Sequence, residues 1–458
     1  MYLTLAKKSE MSVIQFEKGS KKVLNAWAFY DWANSVYSLV ITSAVFPIFY
    51  GTLFRLAEVE SVEFFGMVLE RGPLISYVTS AAFVVVALVT SLVSGVADYL
   101  GNKKAFMRFF CYAGALCAGF LYFFSLESIY ISLGFYFFGL VFYWLSLAMY
   151  NSFLPDVAHK NQQDAISAKG FSMGYIGSVL LLVFNLFMVM FPDKVGISGT
   201  ETQPAEVVAM RYSFITVGLW WILFSQYTFK YLPSGEKKEG ERKHIVLGGL
   251  RELQSVNKEI AQAPFLKKYL KAFFVYSMAV QTILLIAAYF GESEIEWGGD
   301  QERTVGLIVS ILLIQLVAII GSVITARLSK RIPNVKLLIY INIFWMLLCV
   351  YAYFVVTPFE FYLAAGLVGL VMGSIQTLSR STYSQYLPDT TDTTSYFSYF
   401  EVSEKIGIII GTFIFGYLAQ STGSMRIAAI CMGVFFGIGA VLLKSLVNYH
   451  KRQELDLF

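Results

Sequence analysis

Two polar residues, Asp31 and Asn34, stand inside a long apolar run. The run begins Asn25-Ala26-Trp27-Ala28-Phe29-Tyr30-Asp31-Trp32-Ala33-Asn34-Ser35 and stays apolar to Tyr50. Roughly 20 apolar residues suffice to cross a bilayer, so this run can cross one. With a helix starting near Val23, Asp31 lies ~12 Å along it, close to the midplane of a hydrocarbon core about 30 Å thick. A carboxylate at that depth costs about 2.5–3.5 kcal/mol on insertion scales, so it should face protein or a water-filled cavity. The spacing of Asp31 and Asn34 puts both on one helix face. Two readings follow: a site in a path for solute or protons, or an aspartate fixed by a neighbouring helix for packing specificity. Acids inside membrane spans are functional by default, which favours the first.

A second polar face lies in the run at about 359–386, where Gln376, Ser379, Arg380 and Tyr383 recur at helical spacing. Arg380 lies about 12 Å before Pro388 at helical rise. Its guanidinium suits a substrate carboxylate, which it can grip through two parallel bonds. The alternatives are snorkelling to the cytoplasmic surface or a structural ion pair. Tyr276 and Gln281 mark another run, and Tyr143, Ser146 and Tyr150 a fourth. Single tyrosines carry little weight, since 29 are present and interfacial belts use them. Glu401, Glu404 and Lys405 open a further run; the Glu401–Lys405 spacing fits a helical ion pair, read as structural and near the cytoplasmic end. Cys111, Cys117, Cys349 and Cys431 sit in apolar runs and read as packing residues. His159, His244 and His450 fall in loops or tails without metal spacing. No nucleotide loop, nucleophile triad or metal box is present, so neither an enzyme, a cofactor nor a nucleic-acid partner is expected.

The elements that must position these residues are membrane helices. The chain of 458 residues is 57% hydrophobic and only 14% charged, against about 25% charged in soluble domains. Only helices and closed barrels satisfy the backbone in lipid, and the long continuous runs select helices. Twelve spans are expected, at about 23–50, 74–97, 105–125, 130–154, 167–191, 207–230, 267–290, 304–326, 336–356, 359–386, 396–419 and 425–447, and are numbered in that order. The first is too long for a signal-peptide core and reads as an uncleaved anchor. Alternate loops are basic: the 1–22 tail, the 98–104 turn, the 231–266 stretch, the 327–336 turn and the 448–458 tail. By the positive-inside rule these are cytoplasmic, with both termini. Within 231–266, Val246, Leu250, Leu253, Val256 and Ile260 form one stripe of a basic amphipathic helix, lying on the membrane surface or packed on the bundle.

The two halves, 23–230 and 267–447, echo each other. Span 4 ends Tyr150-Asn151-Ser152-Phe153-Leu154-Pro155-Asp156 and span 10 ends Tyr383-Ser384-Gln385-Tyr386-Leu387-Pro388-Asp389; Gly174 and Gly407 follow at the same distance. Two parallel six-span repeats around a midplane site are the plan of major facilitator transporters, in which the halves rock to expose the site to one side at a time. The turn Gly95-Val96-Ala97-Asp98-Tyr99-Leu100-Gly101-Asn102-Lys103-Lys104 resembles the signature of that superfamily between helices 2 and 3, with the glycine one place late and Tyr99 replacing a basic residue. The resemblance implies a cytoplasmic gate motif of Asp98, Gly101, Lys103 and Lys104. In it Asp98 latches onto the start of span 11, where the helix dipole favours negative charge. Lys103 and Lys104 are more simply topology determinants.

Further stretches resemble one subfamily, the vacuolar amino-acid effluxers (autophagy-related) and their bacterial relatives. They are Tyr30-Asp31-Trp32-Ala33-Asn34-Ser35, Asn151-Ser152-Phe153-Leu154-Pro155-Asp156, Gly170-Phe171-Ser172-Met173-Gly174-Tyr175, Val280-Gln281-Thr282 and Gln376-Thr377-Leu378-Ser379-Arg380-Ser381. Together they span both halves. Ser277-Met278 departs from the Asn-Asp often found there, leaving Asp31 as the main midplane carboxylate. The resemblance implies an all-α integral membrane protein of the major facilitator fold, with twelve helices in two pseudo-symmetric bundles. It also implies a secondary transporter, monomeric, in a bacterial inner membrane or an organelle. The expectation is proton-linked export of amino acids or similar small solutes along Tyr30, Asp31, Asn34, Tyr276, Gln281, Gln376, Arg380 and Tyr383, with Asp31 carrying the proton. Rival readings are transport of another solute, such as a sugar or drug-like compound, and a receptor or scaffold that moves nothing.

Overall fold

A computed structural model of the chain describes residues 17–234 and 245–455. Lys7 and Lys8 of the N-terminal tail, and Lys237, Lys238, Arg242 and Lys243 of the central stretch, lie outside the described residues. Among the described residues, twelve helices are long and apolar enough to cross a membrane. They are span 1 (Lys21–Leu56), span 2 (Arg71–Leu100), span 3 (Lys103–Phe123), span 4 (Ile129–Val157), span 5 (Lys160–Met190), span 6 (Ala205–Tyr231), span 7 (Pro264–Glu294), span 8 (Glu302–Leu328), span 9 (Asn334–Phe354), span 10 (Pro358–Tyr386), span 11 (Thr393–Thr422) and span 12 (Met425–Tyr449). Most outrun the apolar stretches that announce them, because a helix need not stop where the hydrocarbon does.

Local chemistry sets several ends. Span 10 starts with Pro358 behind a capping box: the Glu360 amide donates to Thr357 Oγ1 at 3.4 Å, and the Thr357 amide to Glu360 Oε2 at 2.9 Å. Span 2 stops at Gly101, whose φ of +60° is the left-handed turn that suits glycine. Span 1 is not uniform: residues Tyr37–Ala44 form a π-helical stretch that begins six residues beyond Asp31. Such stretches occur frequently at functional sites. The acidic loop after span 1 folds into a hairpin that the sequence reading did not anticipate, β1 (Ser61–Phe64) and β2 (Met67–Glu70), antiparallel with Ser61 opposite Glu70. Its turn, Phe65-Gly66, has φ of 48° and 75°.

Buried apolar side chains form two main clusters. One is drawn from Val23 to Leu232; the other runs from Val256 to Leu446 with Tyr175 of span 5 added. The clusters meet where span 2 packs along span 11, span 5 along spans 8 and 10, and span 4 along span 11. The central stretch contains a helix, Ile245–Gln262, that packs on span 2. Gly249 lies so close to Gly95 and Val96 that a side-chain carbon there would meet the Val96 amide nitrogen at 2.7 Å. Of the expected apolar stripe, Val256 and Ile260 are buried while Val246 and Leu250 are exposed. The bundle therefore covers only the C-terminal part of that face.

Candidate functional site

Asp31 and Arg380 meet across the two halves. Both are almost fully buried, at 3% and 2% exposure. Span 1 reaches this position because span 5 presents glycines to it: a side-chain carbon at Gly174 would lie 3.3 Å from Asp31 Cβ, and one at Gly170 would crowd Arg380 Nη2 and the Tyr150 hydroxyl at 3.1 Å. Asp31 Oδ2 accepts from the Tyr150 hydroxyl at 2.8 Å and from both Nη1 and Nη2 of Arg380 at 3.2 Å. Arg380 also donates from Nη1 to Asn151 Oδ1 at 3.1 Å, from Nη2 to the Ser167 carbonyl at 3.0 Å and from Nε to Ser167 Oγ at 3.1 Å. Ser167 Oγ is aimed by its own bond to the Thr377 carbonyl at 3.0 Å. All five guanidinium N–H donors are thus used. The guanidinium carbon lies 3.9 Å from the Phe171 ring centre and 4.8 Å from that of Trp27. Snorkelling, one expected alternative for Arg380, is ruled out by this burial.

The network continues through Asn151. Its Nδ2 donates to Glu401 Oε1 at 2.7 Å, and Glu401 Oε2 pairs with Lys405 at 3.1 Å. Lys405 also pairs with Glu404, whose Oε1 accepts from Gln281 Nε2 at 2.7 Å. The Lys405 ammonium sits 3.6 Å from the Trp144 ring centre in span 4. An unbroken line of polar contacts therefore runs Asp31, Arg380, Asn151, Glu401, Lys405, Glu404, Gln281, drawn from spans 1, 10, 4, 11 and 7. The Glu401–Lys405 pair forms as its spacing predicts. Its place differs from the expected one: span 11 starts at Thr393, which puts the pair about 12–18 Å up the helix, inside the bundle.

The other expected pathway residues divide. Gln376 accepts from the Tyr175 hydroxyl of span 5 at 2.6 Å, a further contact between halves. Asn34 is buried one turn beyond Asp31, and its Nδ2 has no hydrogen-bond partner among the described residues. Tyr30 instead pairs with Ser146 and Trp221 inside the first half. Tyr276 bonds Ser379 Oγ at 2.8 Å and Tyr383 bonds the Tyr396 carbonyl at 2.5 Å, both inside the second half. Ser167, Trp144 and the bridging role of Asn151 were not singled out from sequence. The one available signal was three charges within five residues of an apolar span.

At the end of the bundle that carries the basic loops, the gate residues form a closed seam. Asp98 accepts from the Thr394 and Ser395 amides at 3.3 and 2.5 Å, at the first turn of span 11. Lys103 and Lys104 are not merely topology determinants: both are buried. Lys103 bonds Thr393 Oγ1 at 2.6 Å and the Ser152 carbonyl at 3.0 Å and pairs with Asp156; Lys104 bonds the Leu232 carbonyl at 2.6 Å. A further latch comes from Asp164 of span 5, which accepts from Gln385 at 2.8 Å and Asn334 at 2.7 Å. The Ile245–Gln262 helix adds a bond from the Tyr396 hydroxyl to Glu259 at 2.5 Å. Among the described residues no group of acidic, histidine or cysteine side chains is arranged to hold a metal ion.

Twelve spans in two bundles, with a buried charge network across their interface, define a transporter of the major facilitator class. Solved structures agree on the fold. The transporter FucP in its outward conformation superposes with a TM-score of 0.68 over 93% of this chain and 98% of its own, at 14% identity. The human organic anion transporter MFSD10 does so at 0.63 over 92% and 99%, at 11% identity. At such identities the likeness speaks for the fold alone. Within that class the chain belongs to the family described as "Vacuole effluxer Atg22 like", whose model matches residues 19–455. The "Uncharacterized MFS-type transporter YxiO" of Bacillus subtilis is 31% identical over 92% of this chain and 93% of its own length. "Autophagy-related protein 22" of Kluyveromyces lactis is 22% identical over 83% and 81%.

Proposed function

We propose that this transporter is a proton-linked carrier of amino acids or similar small zwitterions, with Asp31 as proton site and Arg380 as carboxylate site. The observation that carries this reading is the Asp31–Arg380 pair itself. Every guanidinium donor is occupied, so a solute carboxylate binds Arg380 only where Asp31 lets go. A proton on Asp31 removes the charge that holds Arg380 and frees two donors for the incoming carboxylate. Proton and solute then bind together, and the solute follows the proton gradient. Export results wherever the solute's compartment is the acidic one, which suits relatives named as vacuole effluxers. The rocking units in this reading are 23–230 and 267–447, joined by the 231–266 linker, and the carrier works as a monomer. The basic-loop end and both termini face the cytoplasm by the positive-inside rule. A bacterial inner membrane suits the relative in Bacillus subtilis. A scaffold need not maintain seven interlocked polar side chains between its halves.

The test is counterflow in proteoliposomes loaded with an amino-acid mixture, with and without an imposed pH gradient. Wild-type protein should exchange amino acids and concentrate them with the gradient, and decarboxylated analogues should not compete. Asp31→Asn, which keeps the shape of the side chain, should exchange but not respond to the gradient. Unaltered pH dependence in Asp31→Asn overturns the proton role; equal transport of decarboxylated analogues overturns the carboxylate role.

A further inference from the structure

The network is not electrically balanced. Asp31 and Arg380 match one to one, but Glu401 and Glu404 share a single ammonium, that of Lys405. An acid left over inside the bundle marks an ion path unless something neutralises it. We propose that Glu404, with Glu401 and Lys405, is a second proton-carrying site in the C-terminal half, separate from Asp31. It rests on the proton linkage proposed above.

Three observations support the assignment. Within the trio, Glu404 has the most solvent access, its side chain 16% exposed against 3% for Glu401 and 1% for Lys405, so it is the one that water reaches. Its surroundings are polar and, among the described residues, hold no second cation: Gln281 from span 7, Lys405 and Glu401 from its own helix, and Tyr143 of span 4 within electrostatic reach. Other charged groups from elements that meet span 11, Asp98 of span 2, Lys103 of span 3 and Glu259 of the Ile245–Gln262 helix, touch its first turn at Thr393–Tyr396, about 12–17 Å down the axis. The trio also reports to the first site. A proton taken by Glu404 from water leaves Lys405 to Glu401 alone. Glu401 is then neutralised by its own ammonium and depends less on the Asn151 amide, the same residue that holds Arg380 Nη1. The same proton leaves to water on the opposite side when the halves rock, so no other reactant is needed.

The experiment measures, in proteoliposomes with the membrane potential clamped, the pH gradient at which a fixed solute gradient gives no net flux. With two protons per solute in the wild type, Glu404→Gln should double the balancing pH gradient. Glu404→Asp should restore the wild-type balance point. An unchanged balance point in Glu404→Gln overturns the proposal. So does a balance point that moves with an imposed sodium gradient at fixed pH, because the site then takes a metal cation. Should Glu404→Gln fail to fold, the wild type still decides. A hydrophobic carbodiimide, mapped by mass spectrometry, should modify Glu404 increasingly as the pH falls, and no adduct at any pH overturns the site. Failure of the parent reading looks different, since there the wild-type flux itself ignores pH.

Discussion

Two polar regions bridge the halves, and they are built differently. At the midplane, side chains bind mostly side chains: Asp31, Arg380, Asn151, Glu401 and Lys405 each need a particular partner on another helix or turn. At the basic-loop end, backbone groups take a larger share: Asp98 takes amides of span 11 across the interface, and Lys103 and Lys104 hold the Ser152 and Leu232 carbonyls within the first half, beside the side-chain contacts of Lys103 with Thr393 and of Asp164 with Gln385 and Asn334. Helix ends offer such groups whatever their sequence, together with a favourable dipole. Contacts of that kind can be released to water at small cost and remade. A buried ion pair that loses one member strands the other in a poor solvent, so it opens only when a proton or a solute replaces what leaves. In the proposed reading, selectivity therefore belongs to the midplane and motion to the seam.

Breaking the midplane should have the largest effect. Arg380→Ala leaves Asp31 buried without its counter-charge and should cost about 3–5 kcal/mol, read as a lower melting temperature in detergent and loss of transport. Arg380→Lys should not restore transport, since an ammonium cannot reach Asp31, Asn151 and both Ser167 oxygens from one point. A wild-type melt for Arg380→Ala would remove the contrast between the two regions. Lys103→Met comes next. It strips Asp156, Thr393 and the Ser152 carbonyl of a charged donor, and about 2 kcal/mol is expected by the same assay. Asp98→Asn removes the charge and one of the two acceptors that the Thr394 and Ser395 amides use, at about 1.5 kcal/mol. That change should show as faster maleimide labelling of a cysteine placed at Ser384, from the basic-loop side, with little change in melting. If Asp98→Asn destabilised as much as Arg380→Ala, the seam would be structural rather than mobile. Tyr37→Phe should be smallest, within about 0.5 kcal/mol, because its hydroxyl has no hydrogen-bond partner among the described residues.

Sequence made the members of the site visible but not their meeting. Asp31 and Arg380 each stand out as charges in apolar runs, yet nothing local links positions so far apart in the chain. The Glu401–Lys405 pair was legible from spacing, while its depth was not, because the helix starts before the apolar run does. Tyr30, Tyr276 and Tyr383 show the limit of periodicity: it assigns a face, and here those faces turn to neighbours in the same half. Lys103 and Lys104 look like loop charges until their carbonyl partners on spans 4 and 6 are known. The latch of Asp98 on span 11 was reached through resemblance to a superfamily signature, and the contact is present. The hairpin left no trace, since a phenylalanine with positive φ is not a turn signal.

The π-helical stretch of span 1 bears on the ancestry of the chain as well as its shape. Such a stretch houses a residue that an α-helix of the same length would not hold. Asp31 lies before it; Phe46 and Phe49, packed against Phe124 and Phe214, lie after it. Removing one residue between Tyr37 and Ala44 would let the helix close into ordinary turns without rotating either flank. Span 1 is therefore a place where a relative can be one residue shorter inside the membrane and still present both the aspartate and the aromatic cluster to the same neighbours.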